Sequence, residues 1–126
     1  MSLRTPLGRV RGLGSAKGGA GHWWAQRLSA VALVPLLLWL VASLVQMAGA
    51  DYAHVTAWIA SPVVAIILIL LFGTGFYHLT LGLQVVVEDY VHSDPARLVS
   101  LVLIRFAAWI LAAATIFSVL KIAFRG

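Results

Sequence analysis

His78 is an ionisable side chain set deep in an apolar stretch. The stretch covers residues 62–87 and contains no charge. An imidazole at that depth is expensive in hydrocarbon and marks a functional site by default. Helical spacing places Thr74, Gly75, Gly82, Val85 and Asp89 on the same side of a helix as His78. The two glycines remove bulk beside the imidazole, which is the clearance a flat macrocycle needs to reach an axial ligand. Close helix packing also favours glycine in membranes, but it does not account for a histidine among them. Two readings of His78 follow: a haem-iron ligand, or a hydrogen-bonding group between helices.

Other histidines do not share that depth. His22 and His92 fall near one end of the apolar stretches and His54 near the other. A six-coordinate haem iron bound by His78 would take its second ligand from another chain, so the chain reads as half a site. Asp89 follows His78 by eleven residues, three turns or about 16 Å along a helix. Glu88-Asp89-Tyr90 therefore lies at the membrane surface below the histidine. There an acid and a phenol either hydrogen-bond a quinone carbonyl and supply protons, or form a hydrated helix end with an interfacial tyrosine. Arg27, two residues before Ser29, and Arg105 either snorkel toward headgroups or pair with an anionic group such as a propionate or a partner carboxylate.

These residues need membrane helices to position them. Of 126 residues, 62% are apolar and 10% charged, and mean hydropathy is +0.99. Soluble domains carry about 25% charged residues, so a soluble fold and a disordered chain are both excluded for most of the length. The apolar stretches 28–50, 62–87 and 98–124 each reach the roughly 20 residues that cross a bilayer core. Period-2 alternation is missing, which excludes a membrane β-barrel. The fold class is all-α and integral to the membrane, with helices over about 22–48, 62–89 and 95–124. Residues 51–60 are read as a short helix on the outer surface, because joining them to the second span would give about 55 Å of helix. Ser61-Pro62 offers the break, and Ser93-Asp94-Pro95 combines a capping side chain with a proline just inside the third helix. Residues 1–20 hold five of the eleven glycines and four basic residues, and read as a flexible basic tail.

Basic residues set the orientation. Arg4, Arg9, Arg11, Lys17 and Arg27 precede the first span, and none lies in the loop after it. The positive-inside rule then puts the N-terminus in the cytoplasm of a bacterium, or in the matrix of an organelle. Trp23 and Trp24 suit one aromatic belt, and Tyr52 and Trp58 the other. With no cysteine, the chain offers no disulfide, thiolate zinc site or iron–sulfur cluster. A net charge of +5 scattered over so apolar a chain makes no nucleic-acid footprint.

Taken together, the residues resemble the hydrophobic membrane anchor of succinate dehydrogenase, the small cytochrome b subunit of respiratory complex II. The likeness lies in three spans, a basic N-terminal tail, Gly21-His22 followed by Arg27-Leu28-Ser29-Ala30, and Tyr77-His78-Leu79 stepping eleven residues to Glu88-Asp89-Tyr90-Val91. The resemblance implies a bundle completed by a sister anchor subunit. His78 would be an axial ligand of a haem b shared with that sister's histidine. Tyr90 would hydrogen-bond ubiquinone, with Asp89 in the same region, and Arg27 would lie near the propionates and the quinone pocket. The step from His22 to Arg27 is one residue short of the family's, so no role carries over to His22.

The resemblance also implies the partners. A flavoprotein subunit oxidises succinate, and an iron–sulfur subunit passes the electrons to ubiquinone at the membrane face. This chain would anchor both in the bacterial inner membrane and hold no catalytic centre of its own. Two readings from other classes stand beside it: a cofactor-free structural or assembly membrane protein, and a small transporter subunit using His78. A transporter would place more than one ionisable residue at mid-depth, and here His78 stands alone.

Overall fold

The computed structural model describes residues 17–125. Four helices follow one another: α1 (Lys17–Gln46), α2 (Tyr52–Ala60), α3 (Pro62–Tyr90) and α4 (Asp94–Phe124). Three of them, over Gly19–Gln46, Pro62–Tyr90 and Asp94–Phe124, are long and apolar enough to cross a membrane. The chain is thus an all-α, multi-pass membrane protein. The basic tail read over residues 1–20 falls mostly outside the described residues, but 17–20 already belong to α1. Glycine-rich sequence is a poor helix former, yet here it extends a long apolar helix that has already nucleated.

The helix ends have local causes. After α1 the chain turns at Gly49, whose φ of +83° lies in the left-handed region that glycine enters without a Cβ penalty. Asp51 then caps α2, its Oδ1 accepting from the His54 N–H at 2.9 Å. Ser61 separates α2 from α3, which begins on Pro62; a proline at the first position loses no hydrogen bond, since its N–H would have no partner. Ser93 occupies the cap position of α4, but its side chain makes no capping bond, contrary to the sequence reading. Arg97 holds that turn instead. Its Nε and Nη2 donate to the Val91 carbonyl at 3.3 and 3.1 Å, and it pairs with Asp94 at 3.5 Å.

Helix α3 is central. It packs against both α1 and α4, which do not approach each other, while α2 folds over the ends of α3 and α4. The buried cluster sits at the α2 end, where Ala65, Leu68 and Val119 meet. Trp58 contributes here, stacked on Trp39 of α1 with ring centroids 5.6 Å apart. It is therefore packed inward against α1 and only partly exposed. The flanking helices are bare: Leu28, Val31, Leu38 and Val45 of α1 and Leu103, Trp109, Ile110 and Phe117 of α4 are all exposed.

Candidate functional site

The α1–α3 contact builds the site. Leu33 of α1 lies against Gly75 of α3; a Cβ built on Gly75 would sit 3.9 Å from Leu33 Cδ2. This close approach carries Ser29, one turn earlier on α1, to His78. Ser29 Oγ is 2.8 Å from His78 Nδ1 and 3.1 Å from the Gln26 carbonyl oxygen. Ser29 is a buried polar residue, only 7% exposed.

Proton accounting fixes the direction of both bonds. The Gln26 carbonyl can only accept, so it takes the one hydroxyl hydrogen of Ser29. Ser29 Oγ then accepts from Nδ1–H of His78. Both short contacts are hydrogen bonds only in this arrangement. It requires a proton on Nδ1; in the neutral ring this is the Nδ1–H tautomer, with the Nε2 lone pair free to meet a metal. Beside the imidazole, a groove of about 370 Å³ is lined by Leu33, Leu37, Leu71, Phe72 and Gly75 among others, with His78 in its wall.

The second glycine of this face behaves differently from the first. No described atom lies within 4 Å of where a Gly82 Cβ would be, so close packing among the described residues does not account for Gly82. At the Asp89 end of α3, Asp89 and Tyr90 are exposed. Glu88 accepts from Gln84 Nε2 at 3.0 Å, and Gln84 Oε1 in turn accepts from Arg105 at 3.4 Å. Arg105 is thus held by a neutral amide across the α3–α4 contact.

Arg27 does not reach His78. Its guanidinium lies 5.0 Å from the centre of the Trp23 ring, one turn earlier on the same helix, and the residue is exposed. Asp89 and Tyr90, eleven and twelve residues on, make no contact with the imidazole either. His22 is partly buried, and its Nε2 is buried with no hydrogen-bond partner among the described residues. His54 and His92 are exposed. Among the described residues no group of three or more histidine, aspartate or glutamate side chains could hold a metal. Sequence reasoning found His78 but gave Ser29 no part.

The profile of the succinate dehydrogenase/fumarate reductase transmembrane subunit family matches residues 1–112. The succinate dehydrogenase hydrophobic membrane anchor subunit of Rickettsia bellii is 34% identical over 95 residues, 75% of this chain and 76% of its own length. That of Paracoccus denitrificans is 27% identical over 121 residues, 96% of this chain and 93% of its own. The succinate dehydrogenase membrane anchor subunit of Reclinomonas americana is 33% identical over 95 residues, covering 73% and 79%. No solved structure matches significantly. With three helices long and apolar enough to cross a membrane and a match to the family over residues 1–112, the chain belongs to the family of succinate dehydrogenase/fumarate reductase transmembrane subunits.

Proposed function

We propose that this chain anchors a succinate:ubiquinone oxidoreductase in a bacterial inner membrane, N-terminus in the cytoplasm, and that His78 is one of two axial ligands of a haem b shared with a sister anchor subunit. The observation that carries the haem reading is the Ser29–His78 hydrogen bond, which engages Nδ1 and, in the neutral ring, leaves the Nε2 lone pair free beside an apolar groove. The residues fit the group. A neutral imidazole with its other nitrogen tied down is the form that binds iron, and second partners of this kind accompany metal-binding histidines generally. Gly75 and Gly82 leave the flanks of His78 without side chains. When bound, a haem supplies a one-electron centre between quinone and protein.

The remaining roles belong to the exposed end of α3. Tyr90 donates its hydroxyl to a quinone carbonyl, Asp89 supplies or relays protons at the same surface, and Arg27 offers its charge to propionate or quinone from α1. The flavoprotein and iron–sulfur subunits dock on this side. The chain has no cysteine, so the clusters that feed the quinone lie in a partner. The bare faces of α1 and α4 supply the surface on which a sister anchor and lipid would lie.

Isolation of the complex through a tag on this chain tests the proposal. A flavoprotein, an iron–sulfur protein and a second small membrane chain should accompany it, with a b-type absorbance. A pure preparation of this chain, free of flavin and haem from cells that respire on succinate, would overturn it.

A further inference from the structure

We infer that Ser29 is a positioning residue for the axial ligand: its hydroxyl oxygen, by accepting from Nδ1–H, sets how firmly His78 holds iron and how readily that iron is reduced. The inference rests on the reading of His78 as a haem ligand.

Three observations carry it. First, the contact is short, 2.8 Å, and Ser29 is buried, so water does not compete for its oxygen. Second, the oxygen cannot swing away. Its own hydrogen is tied to the Gln26 carbonyl at 3.1 Å, which aims a lone pair across the helix contact. Third, the bond joins α1 to α3, and the Leu33–Gly75 approach one turn along keeps the two helices at that spacing. Ser29 therefore keeps a proton on Nδ1 and sets the ring orientation of His78 before any iron is present.

The consequence for the iron follows from the ligand's electrons. An Nδ1–H that donates a hydrogen bond makes the imidazole more basic at Nε2. A more basic ligand favours the ferric over the ferrous state. Removing the acceptor should raise the midpoint potential and weaken the hold on haem. Exposed serine and threonine hydroxyls elsewhere in the bundle, such as Ser118 bonded to the Ala114 carbonyl at 2.7 Å, only satisfy themselves along their own helix.

The test uses the isolated, fully assembled complex carrying Ser29→Ala or Ser29→Thr. Redox titration, the low-temperature electron paramagnetic resonance spectrum of the ferric haem, and the rate of haem transfer to an acceptor globin are measured in each. For Ser29→Ala the ferric-to-ferrous ratio at a fixed potential should fall about threefold to tenfold, equivalent to a rise of about 30–60 mV at 59 mV per decade. Haem transfer should be roughly tenfold faster, the lower end of the usual cost of losing such a partner. Ser29→Thr keeps the hydroxyl and should restore the parent potential and spectrum. If Ser29→Ala fails to assemble, Ser29→Cys keeps the volume with a weaker acceptor and should shift the potential less, in the same direction.

A haem-replete Ser29→Ala complex with the parent potential and spectrum would overturn the inference while leaving His78 as ligand. So would a threonine variant as perturbed as the alanine one. Full haem in His78→Ala would overturn both readings together.

Discussion

Leu33 rests on the bare backbone of Gly75, and this contact sets the distance between α1 and α3 at the level of His78. The gap from Leu33 Cδ2 to a Cβ at position 75 is 3.9 Å, ordinary van der Waals contact with room for a methyl group and nothing larger. Seven residues along α3, Gly82 faces open space by the same measure. The two glycines flank one histidine and do different things: the first admits α1, and the second leaves a face that the described residues do not fill.

Position 75 should therefore tolerate alanine and reject leucine. Gly75→Ala keeps the helix spacing and should leave the b-type spectrum near parent. Gly75→Leu must push α1 away, an overpacking cost of about 1–3 kcal/mol, and would lengthen the Ser29–His78 bond beyond use. Reduced-minus-oxidised absorbance of the purified complex, scaled to its flavin, reads the difference. A leucine variant with full haem would show that this spacing does not govern the site.

His78→Ala should abolish or strongly reduce the b-type absorbance without harming insertion. Replacing an imidazole by a methyl group removes a polar side chain from hydrocarbon, which favours the membrane. Ser29 is left without its cross-helix donor but keeps the Gln26 carbonyl. Membrane fractions blotted for the chain, alongside haem spectra of the assembled complex, separate insertion from ligation. Unchanged absorbance would place the ligand elsewhere.

Asp51 should be reachable only from the side opposite the basic tail. It caps α2 as an exposed residue, and five basic residues precede the uncharged stretch 28–50, with none in the loop that holds Asp51. Asp51→Cys introduces the sole cysteine of the chain, so labelling with an impermeant maleimide is unambiguous. Labelling in intact spheroplasts is the expected result, and labelling only after the cytoplasmic face is opened would invert the topology.

The spans were legible because length and apolarity are properties of a run, and a run needs no partner to be seen. His78 was legible for the related reason that its cost is local. Ser29 was not. A hydroxyl in a membrane helix usually bonds back to a carbonyl three or four residues earlier, as Thr115 does to Leu111 at 2.7 Å, and Ser29 does this too. Its second bond depends on which residue of α3 comes opposite, and that register is written in the pairing of Leu33 with Gly75, 42 positions apart. Trp58 escaped for a similar reason. Its type suits a membrane interface, and only the fold-back of α2 brings it onto Trp39. Arg105 sits beyond sequence reasoning in the same way, since its partner Gln84 is an uncharged residue on another helix.

Tyr90 separates a quinone role from a packing role most cleanly. It is 77% exposed, and its hydroxyl has no hydrogen-bond partner among the described residues, so none of them depends on that oxygen. Tyr90→Phe keeps the ring and deletes one hydrogen bond. A hydrogen bond to a carbonyl that gains negative charge contributes about 1.5–3 kcal/mol, and each 1.36 kcal/mol is about tenfold in rate. Quinone reduction by the complex should fall roughly tenfold to a hundredfold. Succinate oxidation with an artificial acceptor that draws electrons before the quinone should stay at the parent rate. Haem content should also hold, because Tyr90 lies twelve residues from His78, about 18 Å along the helix. A general assembly defect would lower all three readings together. Parent-rate quinone reduction in Tyr90→Phe would instead leave Tyr90 as an interfacial residue whose ring, and not its hydroxyl, is what the membrane surface requires.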